Sequence, residues 1–137
     1  FSRGGSGSFP LAKGMYNKGR YFAAIVRVAG QSQSDIGNAI AEKTAIWYHI
    51  GLLDTEQRVQ VARTALENFR GYESYADAVE STIDDTISGK ERTTITFIRE
   101  NIPTFKYSEY SEMGHSSGTC YDDPELFEWM FGMRLED

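Results

Sequence analysis

Tyr21-Phe22-Ala23-Ala24-Ile25-Val26-Arg27-Val28-Ala29-Gly30 is nearly continuous in apolar residues and is closed by a glycine. A run this short, rich in Ile and Val, fits a strand buried on both faces, the environment of a parallel sheet. Arg27 interrupts it and is expected near the strand end. Ala45-Ile46-Trp47-Tyr48-His49-Ile50, ended by Gly51, repeats the pattern and predicts a second buried strand. Residues 31–43 between them read as a polar connection with a weak helix around Ile36 to Ala41. After the loop Gly51-Leu52-Leu53-Asp54, Thr55 is placed to cap a helix that runs to Phe69. Its Val59, Ala62, Leu66 and Phe69 fall on one face, and Gly71 ends it.

Upstream, Phe9, Leu11, Ala12 and Met15 predict a short helix over residues 9–18, with Gly19 at its C-terminus. Downstream, Tyr75, Val79, Ile83 and Ile87 recur at four-residue steps and predict a second helix that Gly89 breaks. Residues 93–101 fit a strand or a third helix, because Ile95, Ile98 and Ile102 also share a helical face; Pro103 ends the segment on either reading. Residues 104–110 alternate and predict a third strand nearer the sheet edge. Residues 111–118 form a loop. A last helix runs over residues 123–134, with Asp122 or Asp123 as its cap, Pro124 in its first turn and an apolar face of Leu126, Phe127, Met130 and Phe131. Strands separated by helices predict right-handed crossovers. The expected fold class is therefore α/β: a mostly parallel sheet of about three strands with helices on both faces.

The chain has 137 residues, which suits one domain rather than two. A hydrophobic fraction of 40% and a charged fraction of 25% are ordinary for a globular protein. The net charge of −6 argues against a nucleic-acid partner, since phosphate contacts need a basic patch. No apolar run is long enough to span a bilayer. Cys120 is the single cysteine, so no internal disulfide and no CxxC motif is possible. His49 and His115 are far apart in sequence and lack zinc-ligand spacing, so no metal is expected.

Phe1-Ser2-Arg3-Gly4-Gly5 reads as the right-hand part of a G-x-S-x-G turn, in which a serine sits on a sharp strand-to-helix bend. Taken alone, the glycine- and serine-rich residues 2–8 also describe a flexible tail. Position along the chain singles out three side chains. Ser2 precedes the first helix, Asp54 follows the second strand, and His115 follows the third. All three are expected at the carboxyl ends of parallel strands, where such sheets carry their sites. The serine hydroxyl needs a base within reach. Histidine can take that proton and return it to a leaving group. An aspartate can fix the imidazole tautomer and stabilise its cation. Arg3 N–H, just after the serine, is the candidate oxyanion donor. Glu109 and Glu112 are alternative acids but lie close to His115 in sequence. His49 reads as a packed strand-end residue holding the Asp54 loop, Asp84-Asp85 as a solvated helix face, and Cys120 as a buried small hydrophobe.

The order Ser…Asp…His is that of the α/β-hydrolases, and the chain resembles the C-terminal half of the esterase, peptidase and polyhydroxybutyrate-depolymerase-like group of that superfamily. Phe1-Ser2-Arg3-Gly4-Gly5 resembles its G-x-S-x-G-G elbow. The segment from Trp47 to Asp54 is similar to its H-G-x-x-D segment. The segment from Lys106 to Ser117 resembles its histidine segment, and that from Tyr121 to Met130 its terminal D-P-E-L-hydrophobic-x-W-hydrophobic helix. Ile50 stands where the group usually has glycine, and residues 72–103 are longer than its usual link, as a lid, a partner surface or a bulkier crossover. The resemblance implies a partial α/β-hydrolase fold over residues 1–137 with a helical insertion at 72–103. It also implies a serine esterase working through Ser2, His115 and Asp54 on a small-molecule ester, without cofactor. On this reading the chain is a fragment or processed product of a larger enzyme, its other partner is a missing N-terminal half, and alone it is inactive. A homo-oligomer is left open. The other reading is a hydrolase-derived module kept for binding or structure.

Overall fold

The computed structural model describes residues 1–134. Its elements are α1 (Arg3–Tyr16), β1 (Ala24–Val28), α2 (Asn38–Lys43), β2 (Ala45–Gly51), α3 (Glu56–Gly71), a 3-10 turn (Glu73–Tyr75), β3 (Val79–Ile87), β4 (Lys90–Arg99), β5 (Ile102–Tyr110), α4 (Gly118–Tyr121) and α5 (Pro124–Gly132). The strands form one five-stranded sheet in the order β1-β2-β5-β4-β3. β1 and β5 pair parallel to β2, whereas β4 pairs antiparallel to both β5 and β3.

This corrects the expected fold class. The sheet is mixed and five-stranded, with only two parallel pairs, rather than a mostly parallel sheet of about three strands on the partial α/β-hydrolase plan. The difference lies in residues 72–103, which form a β-hairpin and not a helical insertion. Val79, Ile83 and Ile87 are four residues apart, a step that keeps one face in a helix and also in a strand. The connections decide between the two. Ser88 and Gly89 both have positive φ (49° and 77°) and join Ile87 to its partner Lys90. Glu100 and Asn101 repeat this (51° and 66°) between Arg99 and its partner Ile102. Two-residue loops with both residues at positive φ match the twist of antiparallel strands. Gly89 is thus a hairpin residue and not a helix breaker. Pro103 lies inside β5 opposite Ile98, beside the register shift at Phe97/Ile98, a place where the ladder tolerates a missing N–H. β5 is consequently an interior strand and not one near the edge.

The helices at residues 55–69 and 123–134 form close to the expected bounds. Thr55 Oγ1 accepts from Arg58 N–H, and Asp123 Oδ1 accepts from Glu125 N–H. α1 instead starts six residues before the predicted helix and includes Gly4, Gly5 and Gly7, which have weak helix propensity. Packing outweighs propensity there: Phe9 and Ala12 are buried against β1 and α2.

The two faces of the sheet are filled differently. On one, Ile25, Ile46, Tyr48, Ile50, Phe97, Phe105 and Tyr107 meet α1, α2 and α3. Phe69 of α3 stacks on Phe105 with ring centroids 3.7 Å apart. On the other, Trp47 meets Trp129 of α5 edge-on at 5.7 Å, and Trp129 Nε1–H donates to Pro103 O. This second face also buries polar groups. Trp47 Nε1–H donates to Ser108 Oγ, which shares a hydrogen bond with Thr94 Oγ1. Arg92 binds Asp123 at 2.7 Å and Asp85 at 2.6 Å. His49 is fully buried, with Nδ1 2.9 Å from Tyr110 Oη. It is packed, as expected, but it bonds Tyr110 and not the Asp54 loop. Burial first, then the cations Arg92 and Lys106, push its imidazole pKa down to about 3.

A base whose pKa is lower folded than unfolded is protonated first in the unfolded chain, so stability falls as pH falls between the two values. For His49 that window runs from 6.5 to about 3. Urea unfolding across it is expected to show a stability loss of up to about 1.4 kcal/mol per pH unit from this residue. His49→Phe should flatten the slope by that share; an unchanged slope would contradict the assignment.

Candidate functional site

The three parallel strands end at one edge of the sheet. Ser2 is anchored to the end of β1, its N–H donating to Val28 O at 2.9 Å. Asp54 follows β2 by three residues, and His115 follows β5 by five. Parallel pairing of β1 with β2 and of β2 with β5 sets these ends level. The added hairpin lies on the far side of β5, so it leaves that edge intact.

Ser2 has φ 53° and ψ −115°, a conformation non-glycine residues rarely adopt. The strain is held from both sides of the residue. Ser6 N–H donates to Ser2 O at 2.8 Å. A Cβ on Gly5 would stand 2.7 Å from Val28 O, so only glycine lets α1 approach β1 this closely. Ser6 Oγ then accepts from Gln31 N–H and Ser32 N–H, tying α1 to the loop after β1. Arg27 braces that loop from below. Its guanidinium lies over the Phe9 ring at 4.0 Å and donates to Gln33 O at 2.5 Å and to Ser32 O. Arg27 is fully buried, and burial lowers its pKa against the smaller opposing effect of Tyr48.

The Asp54 loop is fixed to the His115 loop through backbone. Leu52 N–H donates to Tyr110 O and Leu53 N–H to Met113 O, and Asp54 N–H turns back to Gly51 O. The Asp54 side chain is 1% exposed. Its Oδ1 accepts from Thr55 N–H at 2.7 Å and from Arg58 at 3.1 Å, leaving Oδ2 for His115. Burial opposes ionisation of this carboxyl. The bonds from His115, Thr55 N–H and Arg58 outweigh burial and hold its pKa below the ordinary value.

His115 joins the other two residues. Its Nδ1 lies 2.8 Å from Asp54 Oδ2 and its Nε2 lies 2.8 Å from Ser2 Oγ. An ionised carboxylate only accepts, so Nδ1 carries the proton and Nε2 is free to accept from the Ser2 hydroxyl. The Phe1 ring packs on the imidazole at 4.8 Å. Arg3 is the first residue of α1, and its N–H, like the others of a first helical turn, has no partner within the helix. Ser2 is the N-cap of α1 and so stands at the positive end of that helix's dipole.

Of the three residues singled out by their order in the chain, Ser2 and Asp54 therefore each lie within hydrogen-bond distance of His115. The other candidates lie elsewhere. Glu109 pairs with Arg63 at 3.2 Å, and Glu112 is exposed. Asp85 binds Arg92 and Asp84 accepts from Thr93. Cys120 is buried, and burial raises its thiol pKa to about 11. No group of three or more His, Cys, Asp or Glu side chains able to hold a metal occurs among the described residues. No helix among them is long and apolar enough to cross a membrane. The sequence matches no family model and no curated protein.

Two supports of the site were not singled out from sequence. Arg58 lies one helical turn beyond Asp54, a spacing that could have flagged it. The Arg27–Ser32–Ser6 brace carries no local signature, because it joins a strand, a loop and a helix.

Gly51 couples the two loops most tightly. A Cβ there would lie 2.0 Å from Met113 O, two residues before His115. Gly51→Ala is expected to cost about 1–3 kcal/mol as overpacking and to displace His115. Thermal unfolding reads the first effect. The second appears as a perturbed His115 imidazole resonance, with that of His49 retained.

Proposed function

We propose that this chain carries the catalytic centre of a serine hydrolase of the carboxylesterase type. The observation that carries the reading is the pair of 2.8 Å contacts that link Ser2 Oγ through His115 to Asp54 Oδ2. The positive φ of Ser2 supports it, because backbone strain persists where surrounding structure over-determines it and clusters at active sites.

The geometry allows the following sequence. His115 Nε2 takes the Ser2 proton as Ser2 Oγ attacks an acyl carbon. The developing oxyanion accepts from Arg3 N–H at the α1 N-terminus. The imidazolium formed is stabilised by Asp54, whose second oxygen is held by Thr55 N–H and Arg58. Nε2 then returns the proton to the leaving alcohol. Water deacylates the serine by the same route in reverse. The choice of an ester substrate rests on the resemblance of the segments 47–54, 106–117 and 121–130 to the esterase, peptidase and depolymerase-like group. The chemistry drawn from these residues uses no metal or organic cofactor.

The test is intact-mass analysis after a fluorophosphonate probe, with hydrolysis of short p-nitrophenyl esters in parallel. Although the resemblance implies a chain inactive alone, the Ser2–His115–Asp54 contacts lie within this chain, so a single adduct that disappears in Ser2→Ala is expected. Asp54→Asn should lower the rate by roughly 10⁴-fold while leaving the fold intact. A correctly folded protein that neither labels nor turns over esters would overturn the proposal.

A further inference from the structure

β3 lies at the opposite edge of the sheet from the Ser2 end, and of the usual devices that keep an edge from pairing it carries only charged side chains. It is nine residues long, contains no proline and runs in unbroken register with β4. Eight of its nine residues are exposed, with Val79 at 64% and Ile83 at 61%. Its three acids are each engaged within the chain. Glu80 pairs with Arg70 at 2.5 Å, Asp85 pairs with Arg92 at 2.6 Å, and Asp84 accepts from Thr93 Oγ1 at 2.6 Å.

The strand Val79-Glu80-Ser81-Thr82-Ile83-Asp84-Asp85-Thr86-Ile87 is complementary to itself when reversed about Ile83. In an antiparallel pair centred there, Ile83 meets Ile83 of the partner subunit, and Val79 meets Ile87 of the partner subunit. Every carboxylate then faces a hydroxyl: Glu80 opposite Thr86, Asp85 opposite Ser81, and Asp84 opposite Thr82. The same carboxylate–hydroxyl pairing already occurs within the chain, where Asp84 faces Thr93. Neighbouring registers lose this match. An axis at Thr82 sets Glu80 against Asp84, and an axis at Asp84 sets that carboxylate against its own copy; like charges directly opposite destabilise a ladder.

We propose that a second copy of this chain adds to the β3 edge. The two copies meet antiparallel about a twofold axis at Ile83, joining two five-stranded sheets into one. The contact is isologous and closes on itself, so it ends at a dimer. The Ser2–His115–Asp54 site lies at the carboxyl ends of β1, β2 and β5 and stays open, so the inference is independent of the proposed activity.

Sedimentation velocity of the intact protein across a wide concentration range is expected to show a reversible monomer–dimer equilibrium. Ile83→Lys puts like charges together on the axis and should raise the dimer Kd at least about tenfold. Because Ile83 is exposed, the thermal midpoint of the monomer should stay unchanged. Ile83→Cys should form a disulfide-linked dimer on mild oxidation, since directly opposed Cβ atoms lie about 4.5–5.5 Å apart, near the span of a disulfide. Thr82→Cys, off the axis and facing Asp84 of the partner subunit, should link far less. A monomer at every concentration, a dimer indifferent to Ile83→Lys, or equal cross-linking by the two cysteine variants would each overturn the proposal.

Discussion

β2 is buried at every one of its seven positions, and the rest of the structure depends on that constraint. A strand can be buried along its whole length only if it has a neighbour on each side and cover on each face. β1 and β5 supply the neighbours. The helices α1, α2 and α3 cover the face of Ile46, Tyr48 and Ile50, and α5 covers the face of Ala45 and Trp47. Both neighbours run parallel to β2, so three strand ends lie at one edge: Asp54 and His115 follow β2 and β5, and Ser2 is hydrogen-bonded to the end of β1. Burying β2 and assembling the site are the same event.

The site combines a strained backbone with redundant support. Ser2 at positive φ costs on the order of 1–3 kcal/mol, and several weak contacts offset it. These are the bond to Val28 O, the bond from Ser6 N–H, and the close approach that Gly5 permits. Asp54 shows the same principle in charge. A carboxylate that is nearly inaccessible would ordinarily resist ionisation. Here one oxygen takes two donors from the start of α3, so the other is oriented toward His115 and free for it. The Thr55 N–H and the guanidinium of Arg58 belong to a helix terminus, where unpartnered donors and a favourable dipole are already present.

Several polar groups of the α5 face form a bonded set, while His49 Nε2 there is buried without a partner. Trp47, Ser108 and Thr94 form one chain of hydrogen bonds, and Arg92 bridges the hairpin to the start of α5 through Asp85 and Asp123. Arg92 sits on β4 and Asp123 caps α5, so this buried pair fixes the hairpin against the helix. Removing Arg92 alone would strand the Asp123 charge in the interior, which is why such pairs set geometry more reliably than they add stability.

Much of the site was legible in the chain order. Ser2, Asp54 and His115 each follow an apolar run or precede a helix, and strands that read as buried on both faces imply a shared edge. The segments 45–50, 55–69 and 123–134 carry a period, a cap or a proline strong enough to be read locally. The hairpin was not legible, because Val79, Ile83 and Ile87 satisfy a helix and a strand alike, and only the positive φ angles at Ser88, Gly89, Glu100 and Asn101 resolve the ambiguity. The sheet class followed from that one segment, since β3 and β4 turn a parallel core into a mixed sheet. Sequence by itself determined which side chains stand at strand ends and what chemistry they can do, because residue type and hydrophobic period are local properties. Tertiary structure alone decided the strand order, the antiparallel extension and the brace from Arg27 through Ser32 to Ser6. Each of these depends on contacts between residues distant in the chain, and no local pattern encodes them.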